Sequence, residues 1–338
     1  MDIDGSRGEG GGQILRTSLA LSIITGRKLR MKRIRAGRKK PGLQRQHIAC
    51  VEAAARLASA QTTPLEVGAS ELVFTPSPTE AWSHELHVDI GTAGSTTLVV
   101  QTIVIPALLA PHPVRAIITG GTHNPLAPPF EFLDRVFLPP LRAMGADVTL
   151  TLEKHGFMPN GGGRVVVEIK PSKLKPIELM EGGSIVSRRA TAIIASLPRH
   201  VGEREVAMAQ ERLDNPTCEI LEFPKDGPHN LFMVEVELAN GARELVTSHG
   251  RKGYPAEDVA DDALDELEDY LEAGVPVGEH LADQLVLPMA VAGGGRLRTL
   301  APLSQHALTN IETIREFLDV PIRVEAEPDG VTSIVTVG

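Results

Sequence analysis

Aromatic side chains are scarce in this sequence: Phe, Trp and Tyr make up 3% of its 338 residues. Proteins that read single-stranded bases by stacking need aromatic platforms, so an RNA ligand would be held by phosphate and sugar, not by base sequence. Cysteine is nearly missing too. Cys50 and Cys218 stand far apart in no metal-ligand or redox spacing, and both are expected to be reduced thiols of a cytoplasmic protein. No run reaches the roughly 20 apolar residues of a membrane span; the most apolar window, Leu98 to Ala110, is shorter and holds Gln101 and Pro106. The N-terminus carries Asp2 and Asp4 and reaches glycines at once, so it does not read as a signal peptide.

Positive charge is in the minority overall. The net charge of -9 speaks against a nucleic-acid partner, but its distribution does not. Residues 1–50 carry twelve Lys and Arg against Asp2, Asp4 and Glu9, whereas residues 201–280 carry twenty Asp and Glu against six Lys and Arg. The basic end suits phosphates, and the acidic stretch is a solvated surface.

What the chain does have is a weak internal repeat. An apolar helix over Gln13–Ile24, a break and the strand KLRMKRIRAG are followed by a second helix, Gln44–Ala58. The same theme returns as Thr97–Leu109, VRAIITGGT and Pro129–Met144, and again as Gln284–Ala292, RLRTLAPLS and Thr309–Leu318. Apolar spacing of three and four marks the helices, and alternation with β-branched residues marks the strands. Three such units predict an α/β (α+β) fold with a pseudo-threefold core of sheets covered by helices. From Ser184 to Pro276 the pattern changes to strand, helix, three strands and an acidic helix with Val259, Ala263, Leu267 and Leu271 on one face. The expected organisation is a core over 1–183 and 277–338, interrupted by a small inserted α/β domain over 184–276.

Four motifs carry chemistry. GSRGEGGGQILRTS places glycines before an apolar helix, where free amides can meet an anion, although the same run also suits a plain turn. Glu9 within it would repel phosphate unless a cation intervened, which makes it a candidate Mg²⁺ or Mn²⁺ contact. IRAGRKKPGLQRQH gathers Arg35, Arg38, Lys39, Lys40 and Arg45, whose forks and ammonium groups match phosphate oxygens, and Arg16 on the first helix can join them. GGTHNPLAPPFEF is a stiff connection able to wall a pocket, or an ordinary Pro-rich loop. HLADQLVLP and LSQHALTN supply Asp283, Gln284 and His306. A neutral imidazole at His306, expected in a loop before the Thr309 helix, is a competent nucleophile toward phosphorus. A lone loop histidine is more often a satisfied polar group, and spacing does not single it out among eleven.

Taken in order, GEGGGQILR, IRAGR-KPGL-RQH, GGT-NP-APP, HGF-P-GGG, LADQLVLPMA and H-LTN closely resemble the RNA 3'-terminal phosphate cyclases, from about Gly5 to the C-terminus. The resemblance implies three βαβαββ-type repeats with one inserted domain. It also implies a reaction in which ATP adenylylates a histidine, matching His306. The AMP then passes to an RNA 3'-phosphate end, and a 2',3'-cyclic phosphate closes as AMP leaves. By motif position, Glu9 would contact a Mg²⁺ or Mn²⁺ ion, and Arg16, Arg35, Arg38 and Gln46 would hold the RNA terminus. Gln101, Pro128 and the segment His280, Leu281, Ala282, Asp283, Gln284 would line the ATP site. His280 stands where the family usually has an aromatic residue, and its smaller ring offers less stacking surface. Rival readings are a non-catalytic cyclase-like protein of ribosome assembly, which would lack the histidine, and an enolpyruvyl-transferase-like enzyme on a related fold, which would lack the ordered motifs. A pure RNA-binding module would leave LADQ and His306 without a role.

Overall fold

The computed structural model describes all residues from Met1 to Gly338. Its chain runs through three copies of one unit. The first is β1 (Asp2–Asp4), α1 (Gly12–Thr25), β2 (Leu29–Lys32), α2 (Arg45–Leu57), β3 (Gln61–Thr62) and β4 (Leu72–Thr75). The second is β5 (Glu85–Asp89), α3 (Thr96–Ala107), β6 (Val114–Gly120), α4 (Leu138–Ala143), β7 (Asp147–Lys154) and β8 (Gly163–Lys170).

The third copy opens with β9 (Glu178–Leu179) and is then interrupted by β10 (Ile185–Ala195), α5 (His200–Arg212), β11 (Thr217–Phe223), β12 (His229–Leu238), β13 (Arg243–His249) and α6 (Ala256–Ala273). It resumes with α7 (Glu279–Ala292), β14 (Gly295–Leu300), α8 (Gln305–Phe317), β15 (Ile322–Ala326) and β16 (Thr332–Val337). Each copy forms a four-stranded sheet of the same order: β1-β2-β4-β3, β5-β6-β8-β7 and β9-β14-β16-β15. In each, the first pair is parallel and the other two are antiparallel. A parallel pair needs a crossover, and α1, α3 and α7 supply it.

These crossover helices are apolar nearly all round, because each is covered on several sides. Ten of fourteen residues of α1 are buried, and ten of twelve in α3. They meet in one continuous core of 74 residues that joins all three units. The interrupting sheet, ordered β11-β10-β12-β13, has two different faces. Ile193, Ala195, Leu231, Met233 and Leu245 enter the main core, while Ala190, Ala192, Phe232, Val234 and Val246 pack under α5 and α6 in a second core of 16 residues. Strand periodicity of two accounts for this division.

Local departures from the sequence pattern have physical causes. The strand expected over KLRMKRIRAG stops at Lys32, since Arg33 and Arg35 take left-handed backbone angles (φ 52° and 53°) that no strand continues through. Arg33 pairs with Asp4, and Arg35 donates to the carbonyls of Lys40 (2.6 Å) and Gly42 (3.0 Å), which holds the turn. The helix expected over Pro129–Met144 opens into a π-helical turn at Phe132–Phe137. Pro139 and Pro140 have no amide hydrogen for the carbonyls four residues back, so the α ladder breaks there. The last helix begins at Gln305 and not at Thr309, because the Ser304 side chain caps it by accepting from the Ala307 amide at 3.2 Å. His306 therefore lies in the first turn of a helix, not in the expected loop. No helix is long and apolar enough to cross a membrane.

Leu285, fully buried on α7, tests the joint core. Leu285→Ala should cost about 2–5 kcal/mol in urea unfolding, whereas exposed Val67→Ala should stay within about 0.5 kcal/mol. Equal effects would contradict this packing.

Candidate active site

The site grows from the ends of three helices. α1, α7 and α8 bring their polar faces around a cavity of about 770 Å³, which the Arg-rich loop, the Pro-rich segment and β13 complete. On α1 the lining residues after Gly12 are Gln13, Arg16, Thr17 and Ala20, spaced three and four apart on one face. On α7, after Glu279, they are His280, Asp283, Gln284 and Leu287, with the same spacing.

Helical geometry sorts the segment that was expected to line the ATP site. His280, Asp283 and Gln284 face the cavity, but Leu281 and Ala282 lie on the opposite face and are buried in the core. Both share the first turns of α7 with those three residues. Gln101 and Pro128 do line the cavity, as do Arg16, Arg35, Arg38, Gln46, Glu9 and His306. His280 sits at the rim, exposed, with Nε2 4.0 Å from the Glu266 carboxylate.

At the centre, Gln13 links two groups from different helices. Its amide oxygen lies 2.6 Å from His306 Nδ1, and its amide nitrogen donates to Asp283 Oδ1 at 2.5 Å. An amide oxygen only accepts, so Nδ1 carries the proton and the Nε2 lone pair is left free. His306 Nε2 lies 3.9 Å from Glu9 Oε2. Burial raises the Asp283 carboxyl above its ordinary value, opposed by the Gln13 hydrogen bond and by the nearby His306 and Arg16.

Glu9 is held at the same point. Its carboxylate pairs with Arg38, and its backbone amide donates to Thr309 Oγ1 at 3.2 Å. The other carboxylate oxygen, Oε1, is buried with no partner. Asn310 fastens the three helices, accepting from Thr17 Oγ1 at 2.8 Å and donating to the Asp283 carbonyl at 2.9 Å. Gly12 allows the close approach of α1 to α2: a Cβ there would fall 2.6 Å from His47 Nε2.

Gln13, His47 and Asn310 line the cavity and were not singled out by sequence reasoning. In the sequence Gln13 stands only as the first residue of an apolar helix. Its partners lie 270 and 293 residues away, so no local spacing points to it. The THN stretch of the Pro-rich motif was read as a wall, and Asn124 does line the cavity.

Fold and site together define an enzyme-like repeat protein whose cleft, with its arginines and the free Nε2 of His306, is built for a multiply charged anion. The chain belongs to the RNA 3'-terminal phosphate cyclase family: the model of that description matches residues 7–324. It is 47% identical over 326 residues to an RNA 3'-terminal phosphate cyclase of Ectopseudomonas mendocina, covering 95% of this chain and 94% of that one. It is 46% identical over 332 residues to one of Pseudomonas fluorescens, covering 97% and 94%. Among solved structures, the enolpyruvyl transferase NikO from Streptomyces tendae is similar over 99% of this chain and 48% of that chain. That likeness, at 9% identity and a TM-score of 0.39, is too slight to argue from.

His47 provides a check on the site's electrostatics. Burial, then Arg35 and Arg16, lower its pKa to about 3. The unfolded chain takes up this proton first, at about 6.5. His47 therefore contributes a constant stability above that pH, lost progressively as pH falls toward 3. An NMR titration should find the ring neutral down to about pH 3, and a midpoint near the unfolded value would contradict the placement.

Proposed function

We propose that this chain is an ATP-dependent RNA 3'-terminal phosphate cyclase whose nucleophile is His306. The observation that carries the reading is the Gln13–His306 contact, which leaves Nε2 as the free lone pair at the wall of an arginine-lined cavity. Nε2 attacks the α-phosphorus of ATP, a P–N bond forms, and the bond to pyrophosphate breaks. Nδ1 keeps its proton throughout. The positive charge that develops on the ring is met by the Gln13 amide oxygen and, through Gln13, by Asp283. A 3'-phosphate oxygen of RNA next attacks the phosphoramidate phosphorus and expels the imidazole, giving an RNA(3')pp(5')A end. The 2'-hydroxyl then attacks the 3'-phosphorus, loses its proton, closes the cyclic phosphate and expels AMP.

Arg16, Arg35, Arg38 and Gln46 lie on the side of the cavity formed by α1, α2 and the first-unit loop, which suits them to the RNA terminal phosphate. Gln101, Pro128, His280, Asp283 and Gln284 lie toward α3, the Pro-rich wall and α7, and suit the nucleotide. The buried, unpartnered Glu9 Oε1 fits a Mg²⁺ or Mn²⁺ ion. When bound there, such an ion would neutralise phosphate charge as pyrophosphate departs. The division into a core over 1–183 and 277–338 and an inserted domain over 184–276 belongs to the same reading, as does a reducing, cytoplasmic setting suited to two free thiols.

An assay with a 3'-phosphorylated RNA and ATP tests this. Wild type should convert the end to a phosphatase-resistant cyclic phosphate, and His306→Ala should not. Gln13→Ala should slow the reaction about 10- to 100-fold with little change in the KM for ATP. Turnover by His306→Ala would overturn the reading.

A further inference from the structure

Four of the eleven histidines gather outside the catalytic cavity's centre, at the junction between the second unit and the interrupting sheet. His123 follows β6, His155 follows β7, His229 opens β12 and His249 closes β13. His123 and His155 stack nearly parallel, 5.3 Å between centroids and 14° between planes. His123 Nε2 lies 2.8 Å from Glu131 Oε2 in full burial. One donor atom from each of His123, Glu131 and His155 lies within 4.8 Å of the other two.

We propose that His123, Glu131 and His155 form a site for a divalent transition ion of the zinc class, distinct from the ion suited to Glu9. Three features carry this. Two imidazoles and one carboxylate are the donor set that borderline ions prefer, whereas magnesium prefers oxygen and water. The outer support is built: His123 Nδ1 is 2.7 Å from Thr122 Oγ1, which in turn accepts from the Gly156 amide at 3.0 Å. Such a partner fixes the ring and aims Nε2 at the ion. Beyond the triad, His229 Nε2 and His249 Nδ1 are buried with no partner. Phe157 packs against both His123 and His229, at 5.6 and 5.0 Å between centroids. Unpaired buried nitrogens ask for a water or an ion.

The ion would act as a staple and not as a reactant. Glu131 lies three residues beyond Pro128, in the segment that walls the cavity, and His155 belongs to the neighbouring HGF loop. Joining them fixes the wall to the second sheet.

The full-length protein is stripped with a chelator, loaded with Zn²⁺ or Co²⁺ and gel-filtered. About one ion per chain should remain, and cobalt should show the visible absorption of nitrogen ligation. Glu131→Gln and half-exposed His155→Ala should each weaken binding at least about 10-fold, while Glu9→Gln and His306→Ala should retain the ion. Circular dichroism confirms that each variant is folded, and either ligand variant alone suffices. No retained ion in wild type, meaning a hydrogen-bonded His123–Glu131 pair only, would overturn the proposal. So would retention undiminished in both ligand variants.

Discussion

Gln13 stands between two groups with opposite needs. Asp283 is half-buried and accepts from the Gln13 amide nitrogen, while His306 needs an acceptor for its Nδ1 proton and finds the Gln13 amide oxygen. A primary amide can satisfy both at once in one orientation only, so the carboxylate sets the amide and the amide sets the ring. The chain of contacts crosses α7, α1 and α8, which belong to the first and third units. Each partner comes from a different helix, and the site exists only because these helices pack together. A buried carboxylate left without the amide would carry an unpaired charge or take up a proton.

The repeat explains why those helices meet. In every unit the first helix bridges a parallel strand pair and turns its apolar surface into the shared core. α1 and α7 are equivalent crossover helices, so their polar faces arise at equivalent places and open toward one cleft. α8 is the equivalent of α2, and each carries a histidine in its first turn: His306 on α8 and His47 on α2. Their settings differ. His47 is half-buried beside Arg35 and Arg16 and held neutral, whereas His306 is more open, with Nε2 near Glu9. The first turn of the equivalent helix thus carries a neutral imidazole that accepts from the Gln44 amide in one copy and the proposed nucleophile in another.

Much of the fold was legible in the sequence. The three helix–strand–helix–strand recurrences, and the interruption as strand, helix, three strands and an acidic helix, stand in the structure in that order. Apolar periodicity reports burial, and burial is what the crossover helices share. The errors fall where backbone or capping chemistry overrides periodicity: the left-handed turn at Arg33 and Arg35, the proline pair at Pro139 and Pro140, and the Ser304 cap that pulls His306 into a helix. The ligand-lining motifs were legible as arginine and glycine clusters. Within HLADQ the helix turns His280, Asp283 and Gln284 to the cavity and the Leu281 and Ala282 side chains to the core, a division the motif as a string does not display. Gln13 and Asn310 were not legible, since their meaning lies in contacts nearly the whole chain away.

The claim on which the rest depends is that His306 carries AMP covalently. Incubating the protein with α-labelled ATP and a divalent metal, then mapping any acid-labile label, tests it most directly. The account predicts label on His306 Nε2, absent from His306→Ala. No label on wild type, or undiminished label on that variant, would contradict it.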